Sequence, residues 1–417
     1  LSRRQRQMCI RDRYYTKGAV IVNYKNANHI LPDRLVQEIQ QYVQGEYIYI
    51  PIKDKVMNTS PTEYEQELIK RNEHIYTKSL EGISNSELAN MYHLSASSIR
   101  RIIIEQRKGY EAMNNKIRQI INEWDIEKKD VKQIYDSAWQ IGEDYVLKTY
   151  EDVNMLQRNI KILTILEDRG IQVGGIVLTK DRKTYAKDTE YYYILTNKLV
   201  GSNITNIHKD TVIVSEMGKV LARLHKAFKE CETQDEFWDN SLLKEMNGWI
   251  KEVFVKNSWK YIDESAFCNL VDRLEKVYDK LPVQLIHRDV HLGNFLFDNG
   301  KFSGYIDFDL SQRNIRIFDL CYFMLGLLSE EEVLDISAEQ WFEILKYFFA
   351  GYEQEHKLLP EEKQAVPYVM EAIEFLFVAW FMEQNDIKCA EDAMKIYQFV
   401  EKNEEMVLKI IDNSTHF

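Results

Sequence analysis

The sequence predicts an α+β protein: a small, mostly helical helix-turn-helix module, then a larger domain whose first lobe is mixed and whose second is mostly helical. Three observations lead there. Two short, capped helical patterns lie between Ser84 and Arg107. From about residue 131 strand-like runs surround a single helix. After Gly201 helical periodicity dominates, broken by His287-Arg288-Asp289-Val290-His291-Leu292-Gly293-Asn294 and then by Asp307-Phe308-Asp309.

A chain of 417 residues, 45% hydrophobic and 12% aromatic, can fill more than one core. Its cysteines (9, 231, 268, 321 and 389) are scattered without a CxxC pair, which excludes a disulfide framework or zinc site and suits a reducing cytoplasm. No apolar run reaches membrane-spanning length; Phe375–Met382 follows Glu374 and reads as a buried helix segment. No signal peptide is expected. Residues 1–13 hold five Arg and resemble translated adapter read-through, with a basic arm as the alternative; they are set apart from the fold. Net charge is +4 over residues 1–13, zero over 14–115 and −16 over 116–417. The acidic C-terminal part argues against a broad nucleic-acid surface there and permits a cationic substrate.

Along the chain, Leu31-Pro32-Asp33 opens a short helix ending near Gly45, and residues 46–50 alternate like a strand. A helix runs from Pro61 to about Ser79 and stops at Gly82. Ser84 and Glu87 form a capping box for the next helix, which turns at Tyr92-His93-Leu94. Ser95 caps a second helix through about Arg107, with Ile99, Ile102 and Ile103 inward. In such a pair Ala96, Ser97 and Arg100 lie near base edges and Arg101 near phosphates; the alternative is a module that binds protein or nothing. The module spans 14–108, and 109–130 reads as a helical linker. The first lobe, 131–200, begins with strands over Val131–Trp139 and Tyr145–Tyr150 flanking Gly142. A helix over Asn154–Glu167 and strands at Ile176–Thr179 and Tyr191–Leu199 complete it. The second lobe is 201–417.

The polar strings carry the chemistry. Moving a γ-phosphoryl group takes one carboxylate to orient the attacking hydroxyl, and a carboxylate with an amide to hold Mg²⁺. Asp289 is the candidate base, Asn294 and Asp307 the candidate metal ligands, and Asp309 an additional metal or outer ligand. The pair Asn299-Gly300 predicts a two-residue hairpin that returns Asp307 to Asn294, which explains the 18-residue spacing from Asp289. His287 reads as a structural histidine. His291 either approaches substrate or buttresses the loop. Asp319 caps an apolar helix or anchors the loop through backbone N–H groups. Lys148, in an otherwise apolar strand, is the candidate cation for nucleotide phosphates.

On His287-x-Asp289-x₄-Asn294, Ile306-Asp307-Phe308-Asp309, Phe318-Asp319-Leu320 and Leu221-Ala222-Arg223-Leu224-His225, residues 131–417 resemble the aminoglycoside phosphotransferase / choline kinase group, with its bilobal protein-kinase-like fold. The resemblance implies ATP (or GTP) and Mg²⁺ as cofactors, Asp289 as base, Asn294 and Asp307 on the metal, Lys148 on the phosphates, and Thr196, Asn197, Lys198 and Leu199 as the hinge facing adenine. Two positions depart from it. The loop over the phosphates, around Asp136–Gly142, has only Gly142, and Asn159 stands where the group often has a Glu partner for the Lys, leaving Glu151 or Asp152 as substitutes. Residues 14–108 resemble a small bacterial family related to the Mor transcription activator, on YTKG, LPDRLVQEIQQYVQGEYIYIP and NSELANMYHLSASSIRRII; this implies a DNA-binding fold.

The expectation is a cytoplasmic kinase for the hydroxyl of a small metabolite or aminoglycoside-like antibiotic, fused to a possible DNA-binding module over 84–108, with no membrane partner. The alternatives are a transcription regulator whose kinase-like part senses a ligand, and a protein kinase. Protein kinases place a Lys two residues past the Asp and use Asp-Phe-Gly; here those positions hold His291 and Asp309. The acceptor pocket is sought among helices of 202–280 and 325–417, with Trp238, Trp249, Glu374 and Trp380 as candidates.

Overall fold

The computed structural model describes residues 34, 63–127, 130–135, 137–204, 207, 210–234, 236–329 and 336–413. Residues 1–13, the helix expected at 31–45 and the strand at 46–50 lie outside these. The described residues divide into two compact units, one ending at Ile117 and one starting at Arg118.

In the first unit helices α1 (Glu63–Leu80), α2 (Asn85–Tyr92) and α3 (Ala96–Ile120) enclose a small core of Ile75, Tyr76, Leu88, Tyr92, Ile99, Ile102 and Ile103. The capping box forms: the Ser84 hydroxyl accepts from Glu87 N, and Glu87 Oε2 accepts from Ser84 N. His93 adopts the left-handed conformation at φ 51°, which turns the chain sharply before Ser95 caps α3. Helix α3 does not stop near Arg107; it runs on through the stretch expected as a separate linker. A single Gly109 costs a helix only about 1 kcal/mol. Buried Ile103, Tyr110 stacked on Tyr76 at 4.9 Å and buried Ile117 continue one stripe across it.

The second unit begins with an antiparallel sheet in the order β1-β2-β3-β5-β4. Its strands are β1 (Val131–Tyr135), β2 (Ala138–Ile141), β3 (Tyr145–Tyr150), β4 (Ala186–Lys187) and β5 (Tyr192–Asn197). The run 131–139, expected as one strand, is two strands folded back with a bulge between Gln133 and Tyr135. Gly142 lies in the β2–β3 turn, flanked by paired antiparallel strands as expected. Helix α4 (Val153–Asp168) starts at Asp152, whose carboxylate accepts from Asn154 N, and buries Leu156, Asn159, Ile162, Leu163 and Leu166. The strand expected at Ile176–Thr179 is only a bridge from Ile176 to Thr196.

The larger lobe contains α5 (Thr211–Gln234), α6 (Leu242–Glu245) and α7 (Lys251–Lys256), the last two joined through a π-turn, then α8 (Glu264–Tyr278). Beyond the catalytic string come α9 (Ile317–Ser329), α10 (Ala338–Glu355), α11 (Pro360–Glu383), α12 (Ile387–Lys402) and α13 (Glu404–Asn413). Two hairpin-like pairs sit between the halves: β6 (Val283–Ile286) with β9 (Gln312–Ile315), and β7 (Phe295–Asp298) with β8 (Lys301–Tyr305). Helix α11 is long and apolar enough to cross a membrane by length and composition, yet its apolar window is 78% buried within the lobe, so it reads as a core helix.

Candidate active site

The string 287–294 leaves β6 and turns at once. Arg288 takes φ 70°, a conformation that costs a side-chain-bearing residue roughly 1 kcal/mol. Asp319, in the first turn of α9 and fully buried, holds the turn: Oδ2 accepts from His287 N and Oδ1 from Arg288 N, both at 2.8 Å. His225 Nε2 lies 3.0 Å from the same carboxylate, and its Nδ1 is 2.8 Å from Tyr352 Oη. The loop therefore rests on α9, α5 and α10 together. Of the two roles foreseen for Asp319, the anchor is the one its contacts show. The Arg288 side chain is drawn aside, to Glu245 at 2.9 Å and over the Phe318 ring at 4.1 Å.

The residue that follows the turn, Asp289, is buried. Asp289 Oδ1 accepts from Tyr322 Oη at 2.9 Å, and Oδ2 faces His291 Nε2 at 3.9 Å. His291 Nδ1 accepts from Gly293 N at 3.0 Å, so the proton of a neutral ring sits on Nε2, toward Asp289. His287 is wholly buried between Tyr305 and Phe308; its Nδ1 accepts from Asp289 N at 3.3 Å, and burial holds its pKa below the usual imidazole value. Asn294 donates Nδ2 to Asp289 O at 2.9 Å, which presents its amide oxygen on the opposite side.

Asn299 (φ 48°) and Gly300 (φ 76°) make the tight left-handed turn that the sequence announces. The returning strand brings Ile306 N to Asn294 O at 3.1 Å, so Asp307, itself at φ 70°, stands beside the loop. Asp307 Oδ1 lies 2.9 Å from Lys148 Nζ. Burial disfavours charge on Lys148, but Asp307 and Asp309 outweigh it and hold the ammonium well above the usual lysine value. Burial raises the Asp307 pKa and Lys148 more than reverses it, leaving the carboxyl below its usual range. Asp309 Oδ2 accepts from Lys148 at 3.0 Å, while Oδ1 accepts from Tyr150 Oη at 2.8 Å and from Asn159 Nδ2. Neither substitute partner for Lys148 is used: Asp152 caps α4, and Glu151 is exposed.

Among the described residues no group of three His, Cys, Asp or Glu forms a metal cage. The oxygens of Asn294 and Asp307 suit Mg²⁺ instead, which takes one or two protein oxygens and completes its shell with phosphates and water.

In the stretch 196–199, expected as the hinge, Asn197 N donates to Gly175 O at 2.9 Å and Lys198 N to Asp144 O at 2.7 Å. Thr196 pairs with Val146, and Leu199 packs on Gly304. Of the acceptor-pocket candidates, Trp238 is exposed, Trp249 and Trp380 are half-buried and Glu374 is buried. A cavity of about 580 Å³ lined by Arg169, Lys226, Lys229 and Phe302 contains none of the candidate site residues. Tyr150, Tyr322, His225 and Tyr352 escaped the sequence reading as site residues. Tyr322 lies three residues past Asp319, a spacing that places both on one helix face. The four DNA candidates, Ala96, Ser97, Arg100 and Arg101, are all exposed on α3.

The profile of the family "APH: Phosphotransferase enzyme family" matches residues 130–361. Amicoumacin kinase of Bacillus subtilis (strain 168) is 23% identical over 215 residues, 48% of this chain and 62% of that protein, so the chain spans less than two thirds of it. Homoserine kinase of Polaromonas naphthalenivorans (strain CJ2) is 24% identical over 257 residues, 60% of this chain and 77% of that protein. Uncharacterized protein YraL of Bacillus subtilis (strain 168) is 37% identical over 82 residues, 19% of this chain and 94% of that protein. A solved amicoumacin kinase in complex with AMP-PNP and Ca²⁺ superposes with a TM-score of 0.53 at 18% identity, covering 71% of this chain and 93% of that one, a likeness of fold.

Proposed function

The chain belongs to the APH phosphotransferase enzyme family and carries a segment of the YraL family, and from that premise we propose that it transfers the γ-phosphoryl of ATP or GTP to the hydroxyl of a small molecule. One observation carries the reading: a single buried carboxylate, Asp319, fixes the turn that presents Asp289 and Asn294, while the β7–β8 hairpin returns Asp307 to Lys148. The named relatives, amicoumacin kinase and homoserine kinase, support a small-molecule acceptor. A cytoplasmic setting suits it, since nucleotide and Mg²⁺ are at hand there.

In this reading Asp289 orients the acceptor hydroxyl and takes its proton, with Tyr322 holding Oδ1 and His291 Nε2 facing the carboxylate's second oxygen at 3.9 Å. Lys148 neutralises nucleotide phosphates. The main chain of the hinge at 196–199 receives the base. Asn294 and Asp307 would hold Mg²⁺, which supplies charge neutralisation on the phosphoryl oxygens when bound. Attack is in line, and positioning with charge neutralisation contributes most of the rate.

The test is Mg²⁺-dependent ATP or GTP consumption over a panel of small alcohols, amino alcohols and aminoglycosides. Asp289→Asn should lower kcat by about 10²-fold or more while nucleotide affinity changes little. Tight nucleotide or metabolite binding without turnover on any acceptor would favour the ligand-sensing alternative; phosphorylation of proteins alone would favour a protein kinase.

The helix pair α2–α3 favours a second activity. We propose that it binds DNA, with Ala96, Ser97 and Arg100 toward bases and Arg101 toward phosphate. Gel-shift titration with genomic fragments tests this; Arg101→Ala should weaken binding on all sequences and flatten its salt dependence by about one ion.

A further inference from the structure

We propose that Asp309 is the anchor of Lys148 rather than a metal ligand, and that Asn159 and Tyr150 are the positioning residues that hold it there. The inference rests on the phosphotransfer reading of the site. A lysine meant for nucleotide phosphates sits on a flexible stem and needs a fixed counter-charge. Helix α4 offers none, because the position facing the site is Asn159, buried and neutral. The counter-charge comes instead from the end of the β8 return.

Asp309 is held from three sides. Lys148 reaches Oδ2 at 3.0 Å, and Tyr150, two residues further along β3, donates to Oδ1 at 2.8 Å. Asn159 donates to the same Oδ1 from α4. Three donors, one of them a cation, use most of a carboxylate's acceptor capacity. Asp307 also meets Lys148, through Oδ1 at 2.9 Å, and the β8 return sets its backbone next to Asn294, whose carbonyl accepts from Ile306 N. Both acids meet the lysine; in this assignment Asp307 serves the lysine and the cation, and Asp309, whose other oxygen is taken by Tyr150 and Asn159, serves the lysine alone.

The division also explains Asn159. A Glu there would set one carboxylate against another, and like charges in close contact repel. An amide supplies a donor instead. Residues 159 and 309 are thus a matched pair, carboxylate on one and amide on the other, and exchanging the two chemistries should preserve the anchor.

The full-length chain is titrated with AMP-PNP by calorimetry at fixed and at varied Mg²⁺. Asp309→Asn should weaken nucleotide binding about tenfold, as Lys148→Ala does, and the double variant should be no weaker than either single one, the mark of coupled groups. The Mg²⁺ concentration for half-maximal effect should stay within about twofold, whereas Asp307→Asn should raise it about tenfold or more. Asn159→Glu with Asp309→Asn should recover to within about threefold of wild type. A Mg²⁺ requirement that rises in Asp309→Asn as in Asp307→Asn overturns the proposal, and so does a double exchange no better than Asp309→Asn alone. If Asp309→Asn fails to fold by circular dichroism, Asn159→Glu alone decides. Weaker nucleotide binding with an unchanged Mg²⁺ requirement supports the anchor, and wild-type binding sinks it. Absence of AMP-PNP binding by the wild-type chain would instead overturn the phosphotransfer reading beneath it.

Discussion

Asp319 holds the 287–289 turn as a buried carboxylate that accepts from two successive backbone amides and faces His225. An amide side chain there offers one oxygen where the loop needs two, and its NH₂ group would meet a backbone donor. Asp319→Asn should therefore cost about 2–3 kcal/mol in a thermal or urea melt and lower kcat more than it raises KM. An unchanged melt would show that the loop holds its turn without Asp319. The pieces of this site that lie in one contiguous string, Asp289 and Asn294, were legible because their spacing is the chemistry. Tyr150 and Tyr322 were not: each is an ordinary aromatic in an apolar segment, and its hydroxyl gains meaning only when another element crosses it. Asp309 shows the same limit more sharply. Its partners come from β3 and α4, about 150 residues earlier.

Elements were legible where local rules suffice. The Asn299-Gly300 hairpin, the Ser84–Glu87 box and the α4 helix follow from turn and cap chemistry that acts within a few residues. The first hairpin of the sheet did not, because a bulge near Tyr135 carries no glycine or proline marker. The β6–β9 pair was also hidden: β9, Gln312-Arg313-Asn314-Ile315, is polar and makes sense only beside β6. The crossing of α5 and α10 is another tertiary fact. A Cβ on Gly218 would lie 2.1 Å from Phe348 O, and one on Gly351 2.0 Å from Ser215 O, so each helix backbone touches the other through a glycine. Gly218→Ala or Gly351→Ala should destabilise the protein by about 3 kcal/mol through overpacking, despite the better helix propensity of Ala. A denaturation midpoint at or above wild type for either variant would contradict that close approach.

Over the whole molecule, burial of charge sets the pH response. Glu371 on α11 is almost fully enclosed, and burial pushes its pKa up to about 8 although Arg273 lies 3.9 Å away. The folded chain thus keeps a proton that the unfolded chain releases above roughly pH 4.5, and stability from this group is lost as pH rises from there to about 8. Glu371→Gln should melt several degrees above wild type at pH 8.5 and nearly with it at pH 5, by differential scanning fluorimetry; parallel curves for the two proteins would refute the assignment. By itself the sequence determined the phosphotransferase signature of the 287–309 stretch and the hairpin that closes it, because each depends on neighbours along the chain. Only the tertiary structure decided which carboxylate faces the lysine, what anchors the 287–289 turn and where helices touch, because those partners are distant in sequence and meet only when the lobes pack.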